Sequence, residues 1–294
     1  MHFQKITLAG LGLLGGSLGL AVRQRGLAKK VDGLVRRSVS IAECKALGIV
    51  DHATRDPLRA AEDADLIVLC TPLAQMREVV LKMLPALKRN AIVTDVGSVK
   101  ASVVRDLESL VSDAGGHFVG SHPMAGSEKT GPAAAHADLF IRAVCVVTPT
   151  PQSSPDAVGH VEAFWRELGG RPLRLSPEAH DDLVSRSSHL PHVIAAELSN
   201  YILSPAHPKE QALLCANGFR DTTRIASGSP EMWRDIALAN RSNLARVLGV
   251  FIENLQEFQH ALENGNTEAI EEYFAKAKQR RDAWNGQTVS PSPE

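Results

Sequence analysis

The sequence predicts an α/β fold, in which a parallel sheet covered by helices is followed by an all-α C-terminal domain. From residue 1 to about residue 175, short apolar runs alternate with amphipathic helical stretches, a pattern typical of parallel strands joined by helices. After Pro177 the apolar runs of strand length stop and helical periodicity takes over. We therefore expect a sheet domain over residues 1–175, a helical domain over residues 176–285 and a disordered tail over residues 286–294.

Each element of the sheet domain follows from a local pattern. Short apolar runs predict strands at residues 5–9, 30–35, 64–70, 91–95, 117–120, 144–148 and 172–175. Amphipathic stretches between them predict helices at residues 15–25, 40–47, 73–84, 100–114 and 156–168. The proline- and serine-rich residues 149–155 predict a loop.

In the helical domain, the clearest predicted helix begins near Pro230, behind a potential Ser229 cap, and runs to about Glu263. Its apolar residues alternate spacings of four and three, which places them on one stripe. The stripe consists of Leu244, Leu248, Phe251, Leu255, Phe258 and Leu262. Such a stripe needs a partner, which we expect to be a second helix at residues 267–284 or a second copy of the chain in a homodimer.

The composition favours small-molecule chemistry over binding to nucleic acid or membranes. The 32 basic and 33 acidic residues give a net charge of −1 without a long run of one sign. The four cysteines have neither zinc-site spacing nor the density of a disulfide scaffold, which predicts reduced thiols in a cytoplasmic protein. A secretory signal is the alternative for the apolar residues 6–22, but their five glycines disfavour an inserted helix.

Gly10, Gly12 and Gly15 form G-x-G-x-x-G between the first predicted strand and a helix, which predicts a Rossmann-type dinucleotide-binding domain. The first glycine permits a tight turn, the second lets backbone N–H groups approach a pyrophosphate, and the third allows close packing. A glycine-rich turn without a ligand is the alternative. The residues predicted to bind the cofactor here are Gly10, Gly12, Leu13, Leu14, Gly15, Thr71 and Pro72.

The residues after the second predicted strand favour NADP over NAD. NAD-selective sites usually carry an acidic residue at this point, which hydrogen-bonds the ribose hydroxyls. Here Val35 is followed by Arg36, Arg37 and Ser38, which suit a 2′-phosphate. NAD stays possible, because paired arginines are also common on solvated turns.

Two polar loops follow predicted strands at the carboxyl edge of the sheet, where ligands bind in open α/β folds. Residues 95–100 read D-V-G-S-V-K and contain Ser98, and residues 121–131 read S-H-P-M-A-G-S-E-K-T-G and contain His122. Both loops can reach the nicotinamide end of a bound cofactor. Taken alone, Ser98 suits a helix N-cap as well as a catalytic role, and His122 before Pro123 can simply end a strand.

These segments resemble successive motifs of the prephenate/arogenate dehydrogenase family, in order and across nearly the whole chain. The other matching segments are G-L-G-L-L-G-G-S-L at residues 10–18, S-H-L-P-H at 188–192, G-F-R-D-T-T-R-I-A at 218–226 and P-E-M-W-R-D at 230–235. The resemblance implies oxidative decarboxylation of prephenate to 4-hydroxyphenylpyruvate, with hydride transfer to NAD(P), in tyrosine biosynthesis. Arogenate is the alternative substrate. Another two-domain NAD(P) dehydrogenase and a non-catalytic NAD(P) sensor are further alternatives.

The resemblance also implies a role for each site residue. His122 is the base that takes the proton of the substrate hydroxyl, and Ser98 hydrogen-bonds the same hydroxyl. Arg224 binds a substrate carboxylate, His192 belongs to the substrate pocket and Trp233 lines or supports it. Arg220 stands where some relatives have lysine.

Ser127 and Glu128 complete the residues expected to bind substrate. A carboxylate near the side chain of the substrate favours the amino group of arogenate, whereas a cation favours the keto group of prephenate. Glu128 and Lys129 carry both signs, so the sequence leaves that preference open. His189 and His192 lack a third ligand for zinc, and we expect no metal.

Overall fold

The computed structural model describes residues 2–127 and 129–286. Contacts divide the chain into two compact units, Met1–Asn243 and Leu244–Glu294. The predicted domain boundary near residue 175 stays a prediction, because the first unit contains the sheet and several helices that follow it. The predicted tail lies outside the described residues from residue 287 onward.

In the part of the chain that is described, one sheet of eight strands forms the centre of the first unit, in the order β3-β2-β1-β4-β5-β6-β7-β8. The strands are β1 (Phe3–Ala9), β2 (Ala28–Leu34), β3 (His52–Thr54), β4 (Leu66–Leu69), β5 (Ile92–Asp95), β6 (His117–Pro123), β7 (Val144–Thr148) and β8 (Arg171–Arg174). The predicted Rossmann-type sheet is confirmed. It is parallel except between β6 and β7, which are antiparallel.

Helices cover both faces of this sheet. The helices are α1 (Leu13–Gln24), α2 (Val39–Ala46), α3 (Pro57–Ala61), α4 (Leu73–Met83), α5 (Ala101–Asp113) and α6 (Pro155–Glu167). Leu18 of α1 and Trp165 of α6 lie in the apolar core on one face, and Met76 of α4 and Leu107 of α5 lie in the core on the other. The loops that contain the predicted site residues lie at the carboxyl edge of the sheet.

Strand β3 and helix α3 were not predicted. Three and five residues are too few for a period of two or 3.6 to show in the sequence. Strand β3 places Arg55 beside the end of β2.

The helical part of the first unit begins with α7 (Pro177–Val184), a π-helical segment (Ser185–His189) and α8 (Leu190–Ile202). Pro191 lies just after this π-helical segment, whose wider turns give room to a proline ring that clashes with the preceding carbonyl in a regular α-helix. Short helices α9 (Glu210–Leu213) and α10 (Asn217–Thr223) and a 3₁₀ turn (Arg224–Ser227) follow.

The helix predicted over residues 230–263 is two helices, α11 (Pro230–Ala239) and α12 (Arg241–Glu263), with Ser229 as the cap of α11 as expected. They are separated at Asn240, whose buried side-chain amide donates to the carbonyl oxygen of Asp181 at 2.8 Å. The backbone of Asn240, which makes this tertiary hydrogen bond, is not helical. The apolar residues keep helical spacing on both sides of Asn240, so the sequence gives no sign of the break.

In the second unit, α12 is followed by α13 (Thr267–Gly286). Phe258 of α12 packs against Tyr273 and Phe274 of α13, with ring centroids 4.4 and 5.7 Å apart. The expected pairing of the two helices is therefore present at Phe258. Elsewhere on the stripe, Leu255 and Leu262 remain 45% and 53% exposed.

Among the described residues, no helix combines the length and apolar character needed to cross a membrane.

Candidate active site

The glycine-rich turn between β1 and α1 has the geometry of a dinucleotide site. Gly10 has a φ of +100°, which glycine adopts without steric cost. A Cβ on Gly15 would lie 1.9 Å from the carbonyl oxygen of Gly10, so α1 packs directly against the turn. A Cβ on Gly12 would meet nothing within 4 Å, so Gly12 faces open space where the helix begins.

Two alanine substitutions separate packing from binding in this turn. Gly15→Ala is expected to lower the melting temperature by several degrees or to prevent folding, because the methyl group overlaps backbone that cannot move aside. Gly12→Ala is expected to keep the wild-type melting temperature and to weaken cofactor binding. Thermal melts and NADPH titrations of both variants measure this. A wild-type melting temperature for Gly15→Ala would contradict the packing argument.

The surrounding residues fit a bound dinucleotide. Helix α1 starts at Leu13 without a side-chain cap, so its first N–H groups are available to an anion. Leu14 continues this first turn. Next to the turn, the Thr71 hydroxyl is buried and has no hydrogen-bond partner among the described residues. Pro72 follows it as the N-cap residue of α4. A buried hydroxyl without a partner is costly, which supports Thr71 as a cofactor ligand.

The end of β2 lacks the acidic residue of NAD-selective sites. Val35 is buried, whereas Arg36, Arg37 and Ser38 are exposed. The acidic side chain on β2 itself, Asp32, is buried in ion pairs with lysines of β1 and β2, at 3.1 and 2.9 Å. The negative charge of Asp32 is therefore paired with these two lysines within the strand rather than presented at its end.

A chain of hydrogen bonds, the histidine relay, joins His122, His180 and Asp181. His122 lies on β6, and its Nδ1 is 2.9 Å from Nε2 of His180, at the end of the first turn of α7. Nδ1 of His180 is 2.8 Å from Oδ1 of Asp181. All three residues are buried. A carboxylate only accepts hydrogen bonds, so Asp181 receives the Nδ1–H of His180, and Nε2 of His180 receives the Nδ1–H of His122.

This arrangement fixes the tautomer of His122. With the proton on Nδ1, its Nε2 carries the lone pair of a neutral base. Burial, the nearby His180 and the Lys100 ammonium hold the pKa of His122 well below its usual 6.5. The imidazole is therefore neutral at physiological pH and ready to accept a proton.

Asp181 also fixes the loop that carries Ser98. Its Oδ1 accepts the N–H of Lys100 at 2.7 Å, and its Oδ2 accepts the N–H of Ala101 at 2.9 Å. One carboxylate thus caps α5 and orients His180. The N-cap role considered for Ser98 is wrong, because the cap residue is Lys100 and the capping oxygens come from α7. The Ser98 side chain is left half-buried at the sheet edge.

A buried ion pair joins the same loop to β6. The Lys100 ammonium contacts Asp95 and donates to the carbonyl oxygen of Ser121, the residue before His122, at 2.8 Å. Asp95 accepts the N–H groups of Gly97 and Ser121 at 2.8 and 3.1 Å. The backbones around Ser98 and His122 are therefore held by one polar network.

A second group of residues lies on the helices after the sheet. His192 of α8 stacks on Trp233 of α11, with ring centroids 3.7 Å apart. Its Nδ1 contacts the carbonyl oxygen of Ser188 at 2.9 Å, which leaves Nε2 as the acceptor nitrogen. Burial lowers the pKa of His192, and the positive charge of Arg224 lowers it further. Arg224, His192 and Trp233, which the resemblance assigns to substrate binding, are therefore neighbours.

His189 lies between these groups. Its Nδ1 is 3.2 Å from the side-chain nitrogen of Asn240, and its ring centroid is 6.1 Å from that of Trp233. Burial lowers the pKa of His189 to about 4.

The buried histidines predict acid sensitivity. His122, His189 and His192 have lowered pKa values when folded, so on acidification the unfolded chain takes up protons that the folded chain does not. Their contribution to stability is present above the unfolded value of about 6.5 and is lost as pH falls toward the folded values. The melting temperature is expected to fall between pH 7 and pH 5. His160→Asn, which removes an exposed histidine of α6, should keep the full slope, and a flat wild-type profile would contradict the prediction.

Some predicted residues lie apart from these groups. Ser127 is exposed and accepts the N–H of Lys129 at 3.1 Å, and Arg220 on α10 is also exposed. Glu128 lies outside the described residues. The structure adds His180, Asp181 and Asn240, which no motif had indicated. His180 and Asp181 lie on the buried face of the amphipathic helix α7, and their adjacent His-Asp pair was the sequence signal that could have indicated them.

Comparisons with known proteins identify one family for this chain. A family model described as the prephenate dehydrogenase nucleotide-binding domain matches residues 18–173, and one described as the prephenate dehydrogenase dimerization domain matches residues 176–276. A cyclohexadienyl dehydrogenase of Zymomonas mobilis is 34% identical over 95% of both chains. A prephenate dehydrogenase of Bacillus subtilis is 35% identical over 94% of this chain and 75% of its own.

A solved structure of prephenate dehydrogenase from A. aeolicus, in complex with hydroxyphenyl propionate and NAD+, has a TM-score of 0.90 to this chain. It is 32% identical, and the match covers 96% of this chain and 99% of that one. A Synechocystis arogenate dehydrogenase has a TM-score of 0.80 at 30% identity, over 95% of this chain and 99% of that one.

Proposed function

Since this chain belongs to the prephenate dehydrogenase family of NAD(P)-dependent oxidoreductases, we propose that its substrate is prephenate and its preferred cofactor NADP. The reaction converts prephenate to 4-hydroxyphenylpyruvate and CO₂. The observation that carries the proposal is the histidine relay, which leaves a neutral His122 Nε2 as a base at the sheet edge.

His122 accepts the proton of the ring hydroxyl through Nε2. The C–O bond becomes a carbonyl as hydride leaves the same carbon. Loss of the ring carboxylate as CO₂ then makes the ring aromatic, and the resulting phenolate oxygen takes a proton back from His122. Bound NADP supplies the hydride acceptor. The His180 and Asp181 side chains stabilise the imidazolium that forms on His122, and they hold the ring so that its Nε2 faces the substrate.

Ser98 hydrogen-bonds the same hydroxyl. Its half-buried side chain lies in a loop fixed at both ends, by Asp95 at Gly97 and by Asp181 at Lys100. A fixed donor and acceptor at this point lowers the entropy lost when the substrate is aligned with His122.

Arg224, His192 and Trp233 bind the rest of the substrate. The guanidinium of Arg224 binds a carboxylate through two parallel N–H groups. Trp233 supports His192 by stacking, and the free Nε2 of His192 accepts or, when protonated, donates a hydrogen bond. We also assign Arg220, Ser127 and Glu128 to substrate binding, in a role secondary to that of Arg224.

NADP is favoured by the end of β2. Arg36, Arg37 and Ser38 offer two cations and a hydroxyl, and Asp32 is engaged with lysines. Gly10, Gly12 and Gly15 and the first turn of α1 would hold the pyrophosphate.

The protein acts as a homodimer in the cytoplasm. The matching dimerization-domain model includes all of α12 and the first half of α13, and the exposed Leu255 and Leu262 of the α12 stripe provide apolar surface for a second copy. All four cysteines are free thiols, as expected in a reducing compartment.

A spectrophotometric assay tests the function. The four combinations of NADP or NAD with prephenate or arogenate are compared by kcat/KM. We expect prephenate with NADP to give the highest value. A higher value with arogenate would favour the alternative shared by the relatives named cyclohexadienyl and arogenate dehydrogenase. Absence of reduced cofactor with either substrate would exclude both.

A further inference from the structure

Arg55 lies beside the candidate nucleotide site although no motif contains it. Strands β2 and β3 run parallel with Leu34 opposite Thr54, so both strands end at the same edge. The N–H of Val35 donates to the carbonyl oxygen of Thr54 at 2.9 Å. Arg55 is the next residue, which places it alongside the loop that follows β2.

The Arg55 side chain spans that loop. Its Nε donates to the carbonyl oxygen of Arg36 at 3.0 Å, and its Nη1 lies 3.3 Å from the Ser38 hydroxyl. Arg55 therefore holds both ends of the Arg36–Ser38 segment. Because the Ser38 oxygen accepts this bond, its own hydroxyl proton is available to a ligand.

The three arginines carry charge that the protein does not neutralise locally. Within the described residues, Arg36, Arg37 and Arg55 form no ion pair with a carboxylate, whereas Arg23 of α1 pairs with Asp51. The nearest acid in sequence, Asp56, instead accepts the N–H of Leu58 as the N-cap of α3. Three arginines that directly follow two neighbouring strands at one edge of the sheet, in a chain of net charge −1, make a site for a dianion.

We propose that Arg55 is a specificity-determining residue, which completes a three-arginine site for the 2′-phosphate of NADP by positioning the Arg36–Ser38 segment and adding its own charge. The inference rests on the proposed preference for NADP. Strand β3 thereby takes part in cofactor selection, because Arg55, the third arginine of the site, directly follows it.

Equilibrium binding to the full-length protein tests this role without turnover. Dissociation constants for NADPH and NADH are measured by calorimetry for wild type, Arg55→Gln, Arg55→Lys and Arg59→Gln. We expect Arg55→Gln to weaken NADPH binding by about 10- to 100-fold, the usual effect of losing a charged hydrogen bond, and NADH binding by less than about twofold. Arg55→Lys keeps the charge but loses the Nε donor, so its loss should be intermediate. Arg59→Gln removes the same charge from the exposed face of α3 and should leave both constants unchanged.

The outcomes distinguish the proposed NADP preference from the proposed role of Arg55. If wild type prefers NADPH and Arg55→Gln keeps that preference, the role of Arg55 is refuted and the NADP preference stands. If Arg55→Gln loses both cofactors equally, Arg55 only supports the loop, and its role in specificity is again refuted. Equal binding of NADPH and NADH by wild type would contradict the NADP preference, and the inference with it. If Arg55→Gln weakens the binding of 2′,5′-ADP by the same factor as the binding of NADPH, the group recognised is the 2′-phosphate rather than free inorganic phosphate.

Discussion

His122→Asn is expected to lower kcat by about 10²- to 10⁴-fold while NADPH binding stays at the wild-type level. Asparagine can keep a hydrogen bond to His180, but it has no nitrogen lone pair that accepts a proton near neutral pH. The predicted cofactor residues lie on α1 and in the loops that follow β1, β2 and β4 rather than on β6, so binding should not change. Steady-state kinetics and an NADPH titration measure the two effects.

The pH profile adds a second readout for His122. Because the pKa of His122 is lowered, the acid limb of kcat/KM should fall at a pH below 6.5, the usual value for histidine, and it should vanish in the residual activity of His122→Asn. His160→Asn is the matched control, since it removes an exposed histidine of α6. Near-wild-type turnover by His122→Asn would refute its role as the base.

Asp181→Asn is expected to have the second large effect, a fall in kcat of about 10²- to 10⁴-fold by analogy with other orienting carboxylates. Oδ1 of Asp181 accepts from both His180 and the N–H of Lys100, and Oδ2 accepts from Ala101. An amide can replace only one of these oxygens as acceptor, and it removes the negative charge that stabilises protonated His122. The same change weakens the cap of α5, so the melting temperature should also fall.

The neighbouring Asp182 provides the control for this variant. Asp182 forms an exposed i,i+4 ion pair with Arg186, an arrangement that contributes about 1 kcal/mol or less. Asp182→Asn should therefore keep kcat and nearly the wild-type melting temperature. If Asp181→Asn lowered the melting temperature but left kcat intact, Asp181 would be a helix cap only, and its hydrogen bond to His180 would have no catalytic role.

The sequence predicted the residues of the candidate site at the sheet edge better than those on the helix α7. Ser98 and His122 were found because parallel strands end at one edge, so polar residues that follow apolar runs must converge there. His180 and Asp181 were missed because their bonds to His122, Lys100 and Ala101 join residues far apart in the chain. No spacing rule relates them before the helices are packed.

Two other features were hidden for different physical reasons. Arg55 follows a strand of three residues, which is too short to leave a periodic pattern. The break at Asn240 interrupts a stretch whose apolar residues keep helical spacing on both sides. It coincides with side-chain bonds to Asp181 and His189, which are tertiary contacts, and local propensity does not report them.

The π-helical segment Ser185–His189 affects how this protein can vary in evolution. A π-helical turn holds about one residue more than an α-helical turn, so the wide turn absorbs that residue and leaves the following helix in nearly the orientation of a continuous helix. Deleting one residue here would therefore make the helix regular without turning His192 of α8 away from His180 and Asp181 of α7. Arg186 and Ser187 are exposed and can change in type. The segment therefore tolerates a change in its length as well as in the identity of its surface residues.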